Sequence, residues 1–148
     1  MTRIYLDNCT FNRPFDDQNQ VRIRLESEAK LYIQTKIQQQ AVELVWSYIL
    51  DFENAKNPFE ERRKTVKKWK MLAVIDVEET QEIIAIANEL SNKGIKAKDA
   101  LHIASAIIGK AHYFLTTDDR ILKRLSEMAE IQVINPIDLV KVLDGYVN

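Results

Sequence analysis

Lys98-Asp99-Ala100-Leu101-His102-Ile103-Ala104-Ser105-Ala106-Ile107-Ile108 is an apolar, alanine-rich run of helical length, and Tyr113-Phe114-Leu115 after it is a short continuous apolar run that ends in Thr116-Thr117-Asp118-Asp119. Length separates the two: the longer run predicts a helix and the shorter one a buried strand. One acid stands at the start of the helix and another just past the strand. Small residues such as Ala100, Ala104 and Ala106 let a helix approach its neighbours closely, which encloses a carboxylate at its start.

The same alternation extends in both directions. Arg3-Ile4-Tyr5-Leu6 reads as a strand ending in Asp7. Val21, Leu25, Ala29, Ile33 and Ile37 repeat every four residues and predict an amphipathic helix over 20–40. Ala41–Trp46 reads as a strand, with Ser47 as the N-cap of a helix carrying Tyr48, Ile49, Leu50, Phe52 and Glu53. Pro58 suits the first turn of the next helix. Leu72-Ala73-Val74-Ile75 reads as a third strand, followed by a helix through Ile83, Ile84, Ala87 and Leu90 with Gly94 as its stop. Asp119–Glu127 reads as a short helix, Ile131-Gln132-Val133-Ile134 as a fifth strand, and Pro136 as the opening of a last helix. Continuously apolar strands separated by helices imply an α/β protein with a parallel sheet covered on both faces. Ligands of such sheets sit beyond the carboxyl ends of the strands, where strand order reverses.

Composition narrows the function. A chain of 148 residues, 46% hydrophobic and 29% charged, is expected to form a single soluble domain over 1–148. One cysteine permits no internal disulfide and suits a reducing, cytoplasmic setting; Cys9 itself is expected to be a small buried residue. Neither a signal peptide nor a membrane span is legible. Three glycines in all exclude glycine-rich phosphate loops, and with them ATP, GTP and NAD as favoured ligands. The net charge of −1 does not mark a nucleic-acid binder, yet Arg62, Arg63, Lys64, Lys67, Lys68 and Lys70 crowd one segment. By default that cluster is a solvated helix face; Lys67 and Lys68 are its candidates for contacting nucleic-acid phosphates.

Asp7 and Asp118 follow strands, Asp99 starts a small-residue helix, and Glu53 lies on an otherwise apolar one. Enclosed carboxylates repel one another, and a hard divalent cation offsets this. Oxygen-only donors favour Mg²⁺ or Mn²⁺ over zinc, for which no Cys/His spacing exists.

The segments Ile4-Tyr5-Leu6-Asp7-Asn8, Ser47 with Glu53, Gly94 to Ala104, Phe114-Leu115-Thr116-Thr117-Asp118-Asp119-Arg120 and Val133-Ile134-Asn135-Pro136 together resemble the PIN domain, in order and over nearly the whole chain. The resemblance implies a three-layer α/β/α sandwich around a central five-stranded parallel sheet. It also implies a Mg²⁺- or Mn²⁺-dependent ribonuclease, whose products carry 3′-hydroxyl and 5′-phosphate ends, and the toxin role of many small VapC-type members, with a cognate antitoxin and a homodimer as partners. The acidic ligands carry over to Asp7, Glu53, Asp99 and Asp118, with Asp51 competing for the second place. Asn8, Thr116, Thr117 and Asp119 carry over as auxiliary residues. The family's hydroxyl after the first acid is replaced here by Asn8-Cys9.

Simpler roles exist for most of these residues. Asp118 or Asp119 must cap a helix, Asp99 complements a helix dipole, and His102 suits a packed position. Trp46 and Trp69 suit the core. Two other functions compete: a catalytically inactive PIN-fold module binding protein or RNA, and a phospho-acceptor domain using Asp76. The latter requires an acidic pair after the first strand and a lysine after the fifth, where this chain has Asp7-Asn8 and Asn135-Pro136.

Overall fold

The computed structural model describes residues 1–145. Five strands form one parallel sheet: β1 (Arg3–Leu6), β2 (Glu43–Ser47), β3 (Ile75–Val77), β4 (Tyr113–Leu115) and β5 (Gln132–Ile134), in the order β3-β2-β1-β4-β5. The helices are α1 (Asn8–Asn12), α2 (Val21–Gln38), α3 (Tyr48–Ala55), α4 (Glu60–Lys70), α5 (Gln81–Asn92), α6 (Ala97–Ile108), α7 (Asp119–Arg124) and α8 (Pro136–Leu143), with a 3₁₀ turn at Arg13–Phe15. The chain steps from β1 outward to β3, then crosses back over β1 to β4. With right-handed crossovers, that return puts α5 and α6 on the face opposite α2 and α4. The result is the three-layer α/β/α arrangement, and strand order reverses between β1 and β4.

Burial explains why these segments are strands. Ile4, Tyr5 and Leu6 are fully buried, as are Leu44, Val45, Trp46, Phe114 and Leu115, because helices cover both faces. Trp46 lies in the core and Trp69 at its edge, as their sequence contexts predict. The third strand differs from expectation. Leu72 and Val74 are exposed, and the ladder to β2 runs from Ile75 to Val77. At a sheet edge, one side of the strand faces solvent, so Asp76 sits within β3 and pairs with Lys70 at 3.6 Å. Asp76 therefore does not follow a strand, which removes the phospho-acceptor position. Pro58 precedes α4, which starts at Glu60, and α7 ends at Arg124, earlier than predicted.

Caps fix the helix ends that matter for function. Ser47 caps α3, Asp7 caps α1 and Asp118 caps α7. Gly94 takes φ +92° after α5, with the Ile95 amide donating to Leu90 O at 3.2 Å, the expected glycine stop. Among the described residues, no helix is long and apolar enough to cross a membrane.

Candidate active site

Asp7 and Asp118 stand at the carboxyl ends of β1 and β4, on either side of the point where strand order reverses. Asp7 is buried and accepts the Thr10 amide at 2.8 Å. Burial pushes its carboxyl above the usual range, although the Thr116 hydroxyl, the Thr10 amide and the His102 ring act against that shift. Thr116 is itself buried and accepts the Asp118 amide at 3.1 Å, so one hydroxyl links the loops carrying both acids. Asp118 is half-buried and accepts the Arg120 amide at 2.9 Å. It caps a helix and faces the site at once.

Asp99 lies in the first turn of α6 and is half-buried. Burial raises its carboxyl, and so do the charges of Asp7, Asp118 and Glu53, against the opposing effect of His102. A small cavity of about 90 Å³ is lined by both Asp99 and Asp118. Glu53 and Asp118 line the adjoining, larger cleft of about 560 Å³. Asp118 is thus common to both. Cys9 reports the same convergence from the cleft side. The residue is exposed, contrary to expectation, yet loss of water around its sulfur and then the charges of Asp7, Asp99, Glu53 and Asp118 push the thiol up to about 12. That environment disfavours a thiolate nucleophile.

Glu53 is held by a buried chain of polar groups. His102 Nε2 bonds the Glu53 carboxylate, His102 Nδ1 meets the Tyr5 hydroxyl at 2.6 Å, and that hydroxyl meets Ser47 Oγ at 2.6 Å. Burial pushes the Glu53 carboxyl up, but the bond and charge of His102, then Lys98 and Lys56, hold it below its ordinary value. His102 is buried, as expected of a packed histidine, and also orients an acid. Nothing in the spacing of Tyr5, Ser47 and Glu53 discloses this chain; it exists because β1, β2 and α6 meet.

Other expected residues fall as follows. Asp51 accepts from Trp46 Nε1 and Lys70 Nζ, each at 3.0 Å, and does not line the acidic cavities; Glu53 does. Asn8 and Thr117 line the larger cleft. Asp119 is exposed and pairs with Arg22 at 2.6 Å, so it braces the loop from outside the site. Arg22 also donates to Thr117 O, at 3.2 Å. Lys67 lines a separate cavity with Asp51 and Lys70, and Lys68 lines none of these cavities. The cations on the acidic cleft are Arg13, Lys56 and Arg62; of these, only Arg62 belongs to the basic run, and Lys67 and Lys68 are not among them.

A divalent cation fits these residues by donor type and charge. Every acid offers oxygen only, and no lysine or arginine among the described residues pairs with Asp7, Asp99 or Asp118. By spacing the set is open: among the described residues, no three His, Cys, Asp or Glu side chains form a group that could hold an ion as they stand. Uncompensated like charges favour separation, and Glu53 is turned to His102.

A doubly wound parallel sheet with acids at its topological switch point defines the class. Within that class the chain belongs to the PIN domain family, whose model matches residues 4–128. Solved structures that share the fold include two VapBC proteins. VapBC2 from Rickettsia felis, bound to a DNA fragment from its promoter, is 14% identical over 90% of this chain and 98% of its own, with a TM-score of 0.54. VapBC-1 from nontypeable Haemophilus influenzae is 14% identical over 92% of this chain and 98% of its own, with a TM-score of 0.55. No curated protein matches the sequence.

Proposed function

We propose that this protein is a Mg²⁺- or Mn²⁺-dependent endoribonuclease, with Asp7, Glu53, Asp99 and Asp118 as its acidic ligands. The observation that carries the proposal is the convergence of acids at the β1/β4 switch point, where Asp118 lines one cavity with Asp99 and the adjoining cleft with Glu53, beside the buried Asp7. A hard divalent cation held there supplies an activated water and stabilises charge developing on a phosphodiester. The chain's own groups prepare for it. The Thr10 amide and Thr116 hydroxyl orient Asp7, the Arg120 amide orients Asp118, and the Tyr5–His102 chain orients Glu53. Membership of the PIN family supports the nuclease class.

The toxin of a toxin–antitoxin pair is the biological role that best suits this chain, supported by the VapBC proteins that share its fold. A cognate antitoxin, a homodimer, a single-domain chain and a cytoplasmic site of action belong to that reading. The competing reading, an inactive binding module, draws on the open spacing of the acids and on Glu53 turning to His102.

Cleavage of single-stranded RNA decides between them. Wild type is expected to cut in Mg²⁺ or Mn²⁺ and to stop in EDTA, and Asp7→Asn is expected to lose at least about 100-fold in rate. RNA left intact by wild type in both metals identifies the inactive module.

A further inference from the structure

The larger cleft is more than the acids that close one end of it. It continues from Glu53 and Asp118 to a wall formed by Lys56, Phe59 and Arg62. The Arg62 guanidinium lies 4.1 Å from the Phe59 ring centre and 5.1 Å from that of Phe15, so two rings orient it. Among the described residues it has no carboxylate partner. Its neighbours differ: Lys64 pairs with Glu60, Lys70 with Asp51 and Asp76, and Arg13 with Glu26 and Asp16. Lys56 also lacks an ion pair among the described residues, and its ammonium sits 4.1 Å over Phe52. Phe59 remains 54% exposed at the rim.

We propose that this wall seats an unpaired RNA strand leading away from the acids, with Arg62 and Lys56 on its phosphates and Phe59 beneath an unstacked base. The inference rests on the ribonuclease reading for the identity of the strand. An acidic floor by itself repels a polyanion, and these two cations are the free positive charges on the same cleft. A flat apolar ring beside a phosphate-binding cation is the general recipe for holding single strands, whose base faces are open; a duplex hides them. Between wall and floor, Asn57 Nδ2 donates to Asn12 Oδ1 at 3.3 Å and Asn12 Nδ2 to Asn8 O at 2.9 Å, while Asn57 Oδ1 accepts the Phe59 amide at 3.1 Å, so a chain of amides ties the wall to the helix after Asp7. The assignment moves the RNA contact from Lys67 and Lys68 to a different turn of the same helix.

Fluorescence anisotropy with a labelled, mixed-sequence RNA oligonucleotide, in EDTA so that nothing is cut, tests this on the full chain. Phe59→Ala is expected to weaken binding about 5- to 100-fold with an unchanged salt slope. Arg62→Gln is expected to weaken it about 5- to 20-fold and to lower the slope of log K against log salt by about 0.7. Arg62→Lys guards against misfolding: it keeps the slope while losing the affinity of the oriented plane. Lys141→Gln, on α8, is expected to bind as wild type. Wild-type affinity in Phe59→Ala and Arg62→Gln overturns the inference, as does a larger loss in Lys67→Gln or Lys68→Gln, or tighter binding of a duplex. Loss of a co-expressed partner chain from Arg62→Gln with RNA binding intact assigns the wall to a protein and overturns it too. Cleavage by wild type with an unchanged KM in Arg62→Gln defeats this inference alone; RNA binding without cleavage defeats the ribonuclease reading alone.

Discussion

Asp7 meets two opposing demands. It must cap α1 through the Thr10 amide, and it must remain a carboxylate although buried. Burial raises its folded-state value above that of the unfolded chain, so ionisation works against folding. The corresponding stability is fully present below the unfolded value and is lost as pH rises through the folded one. Asp7→Asn keeps an oxygen for the Thr10 amide and removes the charge. We expect the metal-free variant to melt above wild type at pH 7, with the gap closing towards pH 3; a calorimetric scan at both pH values checks this. His102 and Tyr5 act on a different acid. Tyr5→Phe leaves Ser47 Oγ and His102 Nδ1 without their shared partner in the core, and is expected to cost about 1–3 kcal/mol in urea unfolding.

At the level of elements, the decisive fact is that β1 and β4 are neighbours although 109 residues separate each pair along the ladder, Tyr5 and Phe114 or Leu6 and Leu115 alike. Gly109 marks how tightly α6 ends against the sheet, since an added Cβ would lie 2.6 Å from Val45 Cγ1 and 3.2 Å from Val77 Cγ2. Gly109→Ala is expected to destabilise the protein by about 1–3 kcal/mol through overpacking, read from the urea midpoint. Elements buried on both faces were legible as apolar runs, and Asp7, Asp99 and Asp118 were legible because they adjoin such runs. The edge strand was not: solvent on one side admits Asp76, and the apolar signal slid to Leu72–Ile75. The short α1 escaped notice because Asn8-Cys9-Thr10-Phe11-Asn12 has no periodic stripe; Asp7 makes it a helix by capping. Glu53 and Asp51 were inseparable by pattern, since their partners, His102 and Lys70, lie 49 and 19 residues away. The basic run of α4 could not reveal that Arg62, rather than Lys67 or Lys68, faces the acids, because cations surround that helix.

For the molecule as a whole, a net charge of −1 conceals a division of labour. Acids gather at the β1/β4 switch point, and free cations stand along the wall of the cleft that leaves it. Around them, Glu26, fully buried, ties Arg13 and Arg22 at 2.9 and 3.2 Å and Asn135 at 2.5 Å, while Arg22 grips the loop that carries Asp118. The scaffold therefore braces the loops while leaving Asp7, Asp99 and Asp118 without a cationic partner among the described residues. In the proposed nuclease these carboxylates close on a hard cation. Electron paramagnetic resonance of free Mn²⁺ during titration of the protein tests it most directly. Saturable binding of about one or two ions per chain is expected, abolished or weakened at least about tenfold by Asp99→Asn. A titration without saturation, or one that Asp99→Asn leaves unchanged, would contradict it.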